Sequence, residues 1–192
     1  MYKRQVREYT FDALYNKLGY VTQKAVLFSG TVEDNVFFGQ SAAEKTDASL
    51  QAALSLSQAA EFVDKYPEKA AHPIAQLGRN VSGGQKQRLS IARALARTPE
   101  ILIFDDSFSA LDYKTDATLR EGLAKQLPGT TKIIVAQRIS TIRHADQILV
   151  LDRGEIAGLG THDALMASCP VYREIAMSQL SEEELKKGGA SK

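Results

Sequence analysis

A serine followed by two glycines at the start of a basic helix constrains this chain more than any other feature. Residues 80–88 read N-V-S-G-G-Q-K-Q-R, and a helical pattern continues until Pro99. Ser82 can cap that helix, while Gly83 and Gly84 leave backbone N–H groups uncovered at the positive end of the helix dipole. Glycines in a helix otherwise cost about 1 kcal/mol each. The segment therefore predicts a helix N-terminus that contacts phosphate.

An apolar run that ends in two carboxylates follows this helix. Asp105 and Asp106 come directly after residues 101–104, and a polar turn, Ser109-Ala110-Leu111-Asp112, comes next. Ligands of an α/β sheet usually lie at the carboxyl ends of its strands. A carboxylate at Asp105 can therefore bind Mg²⁺, with Gln23 as a candidate for a second oxygen ligand. The alternative for Asp105 is a capping or turn aspartate.

Further short apolar runs indicate a parallel sheet. Lys132–Ala136 and Gln147–Leu151 are, like Ile101–Phe104, dense enough in apolar residues to predict strands buried on both faces of such a sheet. A helix that begins near Asp112 separates the first two strands, so strand, helix and strand predict a parallel βαβ unit. Glu155–Leu159 predicts a last strand behind a tight turn.

Residues 24–98 carry helical rather than strand periodicity. Apolar residues recur at helical spacing from Ala42 to Tyr66, which predicts helix up to Pro67. In the later helix, Arg93 and Arg97 belong to a basic face that we expect to be solvated. The chain is therefore predicted to be α/β, with a parallel sheet and a largely helical insertion.

Composition excludes several classes of function. The 24 basic and 23 acidic residues balance, so there is no electrostatic case for binding nucleic acid. No apolar run approaches the length of a transmembrane helix, and no signal-peptide pattern opens the sequence. A single cysteine, Cys169, has no partner for an internal disulfide, and a packed or surface thiol is expected.

Five blocks follow one another in a fixed order over about residues 5–175. They are Gly19–Gln23 with Leu27–Val36, Val81–Gln85, Ile101–Asp106, Ser109–Asp112 and Ile133–Arg138. In this order they resemble the Q-loop segment, the signature motif, the Walker B strand, the D-loop and the switch region of the ATP-binding domain of ABC transporters. The first and last blocks are closest to the exporter branch.

The resemblance implies a P-loop NTPase-like fold of the ABC ATPase type, with ATP and Mg²⁺ as cofactors. It implies a partial nucleotide-binding domain over residues 1–180, with a helical subdomain at about 24–98, and a polar tail at 181–192. The sequence contains no G-x-x-x-x-G-K-[ST] motif, so we expect a chain truncated before the Q-loop. The implied nucleotide-binding residues are Gln23, Ser82, Gly83, Gly84, Gln85 and Asp112, and the implied metal ligands are Asp105 and Gln23.

Two catalytic positions depart from the pattern of family members that hydrolyse ATP. Asp106 stands where they carry a glutamate, and Gln137 stands where they carry a histidine. A general base contributes about 10² to 10⁴-fold, and a glutamine cannot carry the charge or the proton of a histidine. The family's glutamate shortly before the signature is also absent from Ile74–Arg79. This pattern resembles the degenerate-site subunit of heterodimeric ABC exporters.

We therefore expect an exporter subunit fragment whose signature motif completes the ATP site of a partner. Its implied partners are a second ABC nucleotide-binding subunit and the transmembrane domains of the exporter, at the cytoplasmic face of the cell membrane. The chain alone is expected to be inactive. Two alternatives stay open, a self-sufficient ATPase that uses Asp106, and a regulatory or interaction remnant without nucleotide.

Overall fold

The computed structural model describes residues 5–41 and 45–180, which fall into two compact units divided after Val135. The first unit contains a parallel sheet and most of the helices. In chain order its elements are α1 (Phe11–Tyr15), β1 (Leu18–Val21), β2 (Gly30–Thr31), α2 (Val32–Val36), α3 (Asp47–Leu56), α4 (Ala60–Val63), β3 (Pro73–Ile74), α5 (Gly83–Ala96), β4 (Ile101–Asp105), α6 (Tyr113–Gln126) and β5 (Thr131–Val135).

The sheet of the first unit has the parallel order β1-β4-β5. One face is packed into the core, where Val21, Leu102 and Phe104 are fully buried. Gly19 lies on this face, because a Cβ there would come within 3.0 Å of the Ala94 carbonyl of α5. The other face is open at β5, where Ile133 and Val135 are about half exposed, so the prediction that Lys132–Ala136 is buried on both faces was wrong. The predicted α/β class is confirmed, but β1 was not predicted as a strand.

The insertion between β1 and β4 is helical, as predicted. Residues 42–44 of the predicted Ala42–Tyr66 helix lie outside the described residues, and the rest forms two helices, α3 and α4. The break follows from Gln58, whose backbone has φ 61°, the left-handed region that a helix cannot continue through. The two-residue strands β2 and β3 pair antiparallel at the edge of this insertion. The predicted signature helix is α5, and it starts at Gly83 as the cap predicted.

The second unit contains α7 (Ile139–Ile142), β6 (Ile148–Asp152), β7 (Glu155–Gly160), α8 (His162–Ser168) and α9 (Pro170–Gln179). The prediction that Gln147–Leu151 is a parallel strand buried on both faces was wrong. β6 pairs antiparallel with β7 across the tight turn after Asp152, because a turn of two residues can join only antiparallel strands. Leu149 and Leu151 are exposed, while Cys169 is a buried free thiol, as expected.

No helix within the described ranges 5–41 and 45–180 is both long and apolar enough to cross a bilayer. The predicted polar tail, residues 181–192, lies outside the described residues. The predicted boundary of the nucleotide-binding domain at residue 180 stays a prediction.

Candidate functional site

The amino end of α5 is closed by a reciprocal pair of hydrogen bonds. Ser82 is the N-cap, and its Oγ accepts from the backbone N–H of Gln85 at 3.3 Å. The Gln85 side chain returns the contact, since its Oε1 accepts from the Ser82 N–H at 2.9 Å. This capping box satisfies two of the four N–H groups that a helix leaves unpaired at its start.

The other two N–H groups belong to the glycines. Neither Gly83 nor Gly84 donates to an acceptor among the residues that the structure describes. A Cβ added at Gly83 would meet no atom within 4 Å, so packing does not require glycine there. A Cβ at Gly84 would lie 3.4 Å from the carbonyl oxygen of Ala110, which brings the signature segment against the predicted D-loop. The result is an uncovered helix N-terminus that an anion can approach.

Asp112, the predicted nucleotide-binding residue of the D-loop, caps the next helix. Its Oδ1 accepts from the N–H groups of Lys114 and Thr115, and its Oδ2 accepts from the Thr115 hydroxyl. These bonds, led by the backbone N–H of Thr115, lower the pKa of the Asp112 carboxyl. Upstream in the same loop, the Ser109 hydroxyl donates to the Asp106 carbonyl at 2.7 Å. Local hydrogen bonds therefore shape the loop between β4 and α6.

At the carboxyl end of β4, Asp105 has a partner from the neighbouring strand. The Tyr20 hydroxyl donates to Asp105 Oδ2 at 2.9 Å. This hydrogen bond, reinforced by burial and by the carboxylate's charge, raises the pKa of the Tyr20 phenol. Asp105 is thus not a helix cap, because α6 begins only after Asp112.

Asp106, the predicted catalytic position, is held more tightly. Its backbone has φ 44°, and its N–H donates to the Val135 carbonyl of β5 at 3.0 Å. The residue is buried, and Gln23 Nε2 donates to its Oδ2 at 3.2 Å. Aspartate tolerates the left-handed region better than longer side chains do. The predicted Q-loop glutamine therefore contacts Asp106 rather than Asp105.

The side-chain chemistry at this edge fits a hard cation. Gln23 turns its amide nitrogen toward Asp106, which leaves its amide oxygen as a possible ligand, and Asp105 keeps Oδ1 without a partner among the described residues. Mg²⁺ prefers such oxygen donors. Ser107, two residues after Asp105, has a fully buried Oγ for which the described part of the chain supplies no hydrogen-bond partner. Within the same ranges, no cluster of three or more acidic, His or Cys side chains forms a complete metal site.

Buried side chains of α5 connect it to the Q-loop segment. Gln87, which is 1% exposed, donates to the Thr22 carbonyl at 3.3 Å. Arg93 donates to the Val26 carbonyl at 2.9 Å and to Asn35, through Nε to its carbonyl and Nη2 to its Oδ1. Arg93 is partly buried, and these hydrogen bonds direct its guanidinium into the chain, so the prediction that it lies on a solvated face was wrong. Burial also lowers the pKa of Arg93. Arg93 is covered by a tertiary contact, because the Q-loop segment packs over this part of α5.

Two aromatic side chains lie beside Arg93 at the surface. Phe28 and Phe38 stack with ring centroids 4.3 Å apart, and the Arg93 guanidinium lies 5.4 and 5.6 Å from the two centroids. Both rings remain exposed, by 43% and 51%. We call Phe28 and Phe38 the aromatic surface. Aromatic side chains and arginine are enriched at protein–protein interfaces, which makes the aromatic surface a candidate contact.

Gln137, the second position predicted to be degenerate, belongs to the second unit. Its carbonyl accepts from Gln179 Nε2 at 2.8 Å, and Gln179 Oε1 accepts from the Ile139 N–H at 2.9 Å. Helix α9 therefore holds the backbone at Gln137.

The structure brings the signature segment against the D-loop, and Gln23 against Asp106. Sequence reasoning missed Tyr20, Ser107 and Gln87. The sequence shows a tyrosine three residues before Gln23, but its hydrogen bond to Asp105 can be inferred only from the register of β1 and β4.

Comparison with known proteins agrees with this geometry. The family model described as ABC transporter matches residues 1–109. An uncharacterized ABC transporter ATP-binding protein of Mycobacterium tuberculosis is 46% identical over 175 residues, which cover 91% of this chain and 30% of that protein. Multidrug resistance protein 1 of Entamoeba histolytica is 39% identical over 183 residues, covering 95% of this chain and 14% of that protein.

A solved structure, that of a bacterial Atm1-family ABC exporter with ATP bound, matches with a TM-score of 0.86 and 35% identity. The match covers 92% of this chain and 31% of the exporter chain. This chain likewise spans 28% to 31% of the length of the first bacterial relatives. The parallel sheet, the capped glycine helix and the carboxylates after β4 are parts of one known architecture, and the chain belongs to the ABC transporter family as part of its ATP-binding domain.

Proposed function

We propose that this chain is part of the degenerate-site subunit of a heterodimeric ABC exporter, and that its signature segment completes the ATP site of a second nucleotide-binding subunit. The observation that carries the proposal is the uncovered amino end of α5. Gly83 and Gly84 offer two N–H groups, and the Ser82 hydroxyl, whose oxygen caps the helix, has no acceptor among the described residues and can supply a third donor. Three donors at a helix N-terminus match a phosphate supplied by another subunit.

The chain's own catalytic edge supports the degenerate part of the proposal. Asp106 is one methylene shorter than the family's glutamate, and its carboxylate is engaged by Gln23. About 1 Å of misplacement can reduce a rate on the order of 10²-fold. Asp105 and Gln23 would hold Mg²⁺ through their oxygens, and Mg²⁺ would neutralise phosphate charge there. Asp112 would contribute to nucleotide binding only through its place beside the signature segment.

The second proposed partner is the transmembrane part of the exporter. The aromatic surface is a candidate contact for it, because Phe28 and Phe38 are exposed while Arg93, beneath them, is tied to the Q-loop segment. A partner that binds this surface and displaces the two rings would therefore also move Arg93, and with it the Q-loop segment and α5. Docking to a membrane transporter would bring the chain to the cytoplasmic face of the cell membrane.

Nuclear magnetic resonance of the ¹⁵N-labelled chain, titrated with Mg-ATP, tests the anion-binding part of this proposal. We expect a dissociation constant weaker than about 1 mM, because no Walker A motif is present to hold the β- and γ-phosphates. The amide resonances of Gly83 and Gly84 should shift with ATP, while Gly129, which is equally free of neighbours within 4 Å, serves as the control.

Calorimetry under the same conditions provides the affinity. A micromolar dissociation constant would mean that another part of the chain replaces the missing motif. Unmoved resonances of Gly83 and Gly84 at tens of millimolar ATP would favour the alternative function, a regulatory or interaction remnant without nucleotide.

A further inference from the structure

The hydroxyl of Tyr20 reaches the carboxyl end of the sheet because of the strand register. Tyr20 of β1 pairs with Ile103 of β4, and Asp105 lies two residues further along β4. Side chains two residues apart on a strand share a face, and a diagonal neighbour across two strands is within the reach of an aromatic side chain. The 2.9 Å bond from the phenol to Asp105 Oδ2 is this diagonal contact.

Packing alone does not explain a tyrosine at this position. The side chain is 53% exposed, and its paired neighbour Ile103 offers only apolar contact that a phenylalanine would make equally well. The hydroxyl is therefore the group that distinguishes Tyr20 from an apolar residue, and its partner is a single carboxylate oxygen. A phenol is also neutral, so it orients the carboxylate without cancelling the negative charge that attracts a cation.

We propose that Tyr20 is a positioning residue for Asp105, which holds Oδ2 and thereby presents Oδ1 to a divalent cation. The inference rests on the proposed function, in which Asp105 is a metal ligand. A carboxylate without such a bond samples several side-chain orientations, and fixing one of them in advance removes part of the entropy lost on metal binding. Oδ1 is the oxygen left for the metal, since it has no partner among the described residues.

A titration of the whole 192-residue chain with Mn²⁺ alone, followed by electron paramagnetic resonance of the free ion, tests the inference. Four proteins are compared, namely the unchanged chain, Tyr20→Phe, Asp105→Asn and Tyr15→Phe. Tyr15 is the matched control, because it is an exposed tyrosine that stacks on Phe11 and loses the same hydroxyl. Thermal unfolding of each variant checks that the fold is retained.

We expect Asp105→Asn to abolish the tightest Mn²⁺ site and Tyr20→Phe to weaken it about tenfold, which is the lower end of what partners of metal ligands contribute. Tyr15→Phe should leave it unchanged. If Asp105→Asn abolishes the site but Tyr20→Phe does not weaken it, Tyr20 has no positioning role while the metal assignment survives. If Asp105→Asn has no effect, or the unchanged chain binds no Mn²⁺, the metal assignment fails and the inference fails with it.

Discussion

The amino end of α5 and the carboxyl end of β4 lie in the same compact unit but are built in opposite ways. At α5, Ser82 and Gln85 each accept a hydrogen bond from the backbone N–H of the other. The N–H groups of Gly83 and Gly84 are left uncovered. At β4, the carboxylate of Asp106 and that of its neighbour already receive hydrogen bonds from other side chains. The helix end offers its donors to a ligand from outside, whereas at the strand end an oxygen of each carboxylate already has a partner from the chain itself.

Under the proposed function, this difference would let one subunit keep the signature half of a nucleotide site while its own catalytic half is impaired. The signature segment depends on local geometry, since a cap and two glycines suffice to build it. A catalytic edge depends on a general base at the correct distance, and the proposal assigns the loss of that distance to the missing methylene at Asp106. Substitutions at the two ends, made in a full-length heterodimer or in the chain itself, should therefore differ in their effect on ATP hydrolysis.

The largest effect is expected from Gly83→Asp. In a full-length heterodimer with a competent partner, it should reduce the partner's steady-state ATPase more than about 100-fold, because it adds a negative charge where a phosphate must approach a helix N-terminus. Folding should not suffer, since the space around Gly83 is empty and an acidic residue in the first turn favours the helix dipole. An active heterodimer would show that no phosphate comes near Gly83.

Ser82→Ala should have the next largest effect. Loss of a charge-assisted hydrogen bond, worth about 1.5 to 3 kcal/mol, corresponds to a reduction of roughly 10 to 10²-fold in the partner's turnover. The substitution also removes a helix cap worth about 1 kcal/mol. Thr46→Ala is the matched control, because Thr46 forms a capping box with Ser49 at the start of α3. Equal losses of turnover in both variants would assign the effect to stability instead.

The smallest effect on ATP hydrolysis is expected from substitutions at the predicted catalytic positions of the isolated chain. Asp106→Glu combined with Gln137→His should not create ATP hydrolysis, because the phosphates would still lack a cradle. A glutamate at φ 44° should instead reduce stability slightly, since aspartate tolerates this backbone region better. Release of phosphate is measured against a buffer blank. Magnesium-dependent release that Asp105→Ala abolishes would contradict this expectation.

Local features of the chain were predictable from the sequence, and contacts between distant segments were not. The cap at Ser82 and the helix behind it follow from neighbouring residues, and the structure has both. The bond from Tyr20 to Asp105 joins residues 85 positions apart, and it requires the strand register. The sequence pattern places Arg93 on the surface of its helix, and only the contact with the Q-loop segment shows that it is partly buried.

The strands β1 and β6, both misjudged from the sequence, show the same limit. β1 has four residues, and Gly19 and Tyr20 interrupt its apolar run, so periodicity could not identify it. Gln147–Leu151 has the composition of a strand buried on both faces, although the hairpin leaves Leu149 and Leu151 exposed. Composition alone does not distinguish a strand with one covered face from a strand with two.

The most direct test of the central claim is the ratio of two ATPase rates in the full-length heterodimer. Ser82→Ala and Asp106→Ala are compared with the unchanged complex, and assembly is matched by size-exclusion chromatography. We predict that Ser82→Ala lowers the rate about tenfold or more, while Asp106→Ala changes it far less. Near-unchanged rates for both variants would show that the signature segment serves no active site, and a larger loss with Asp106→Ala would show that this chain's own edge is the catalytic one.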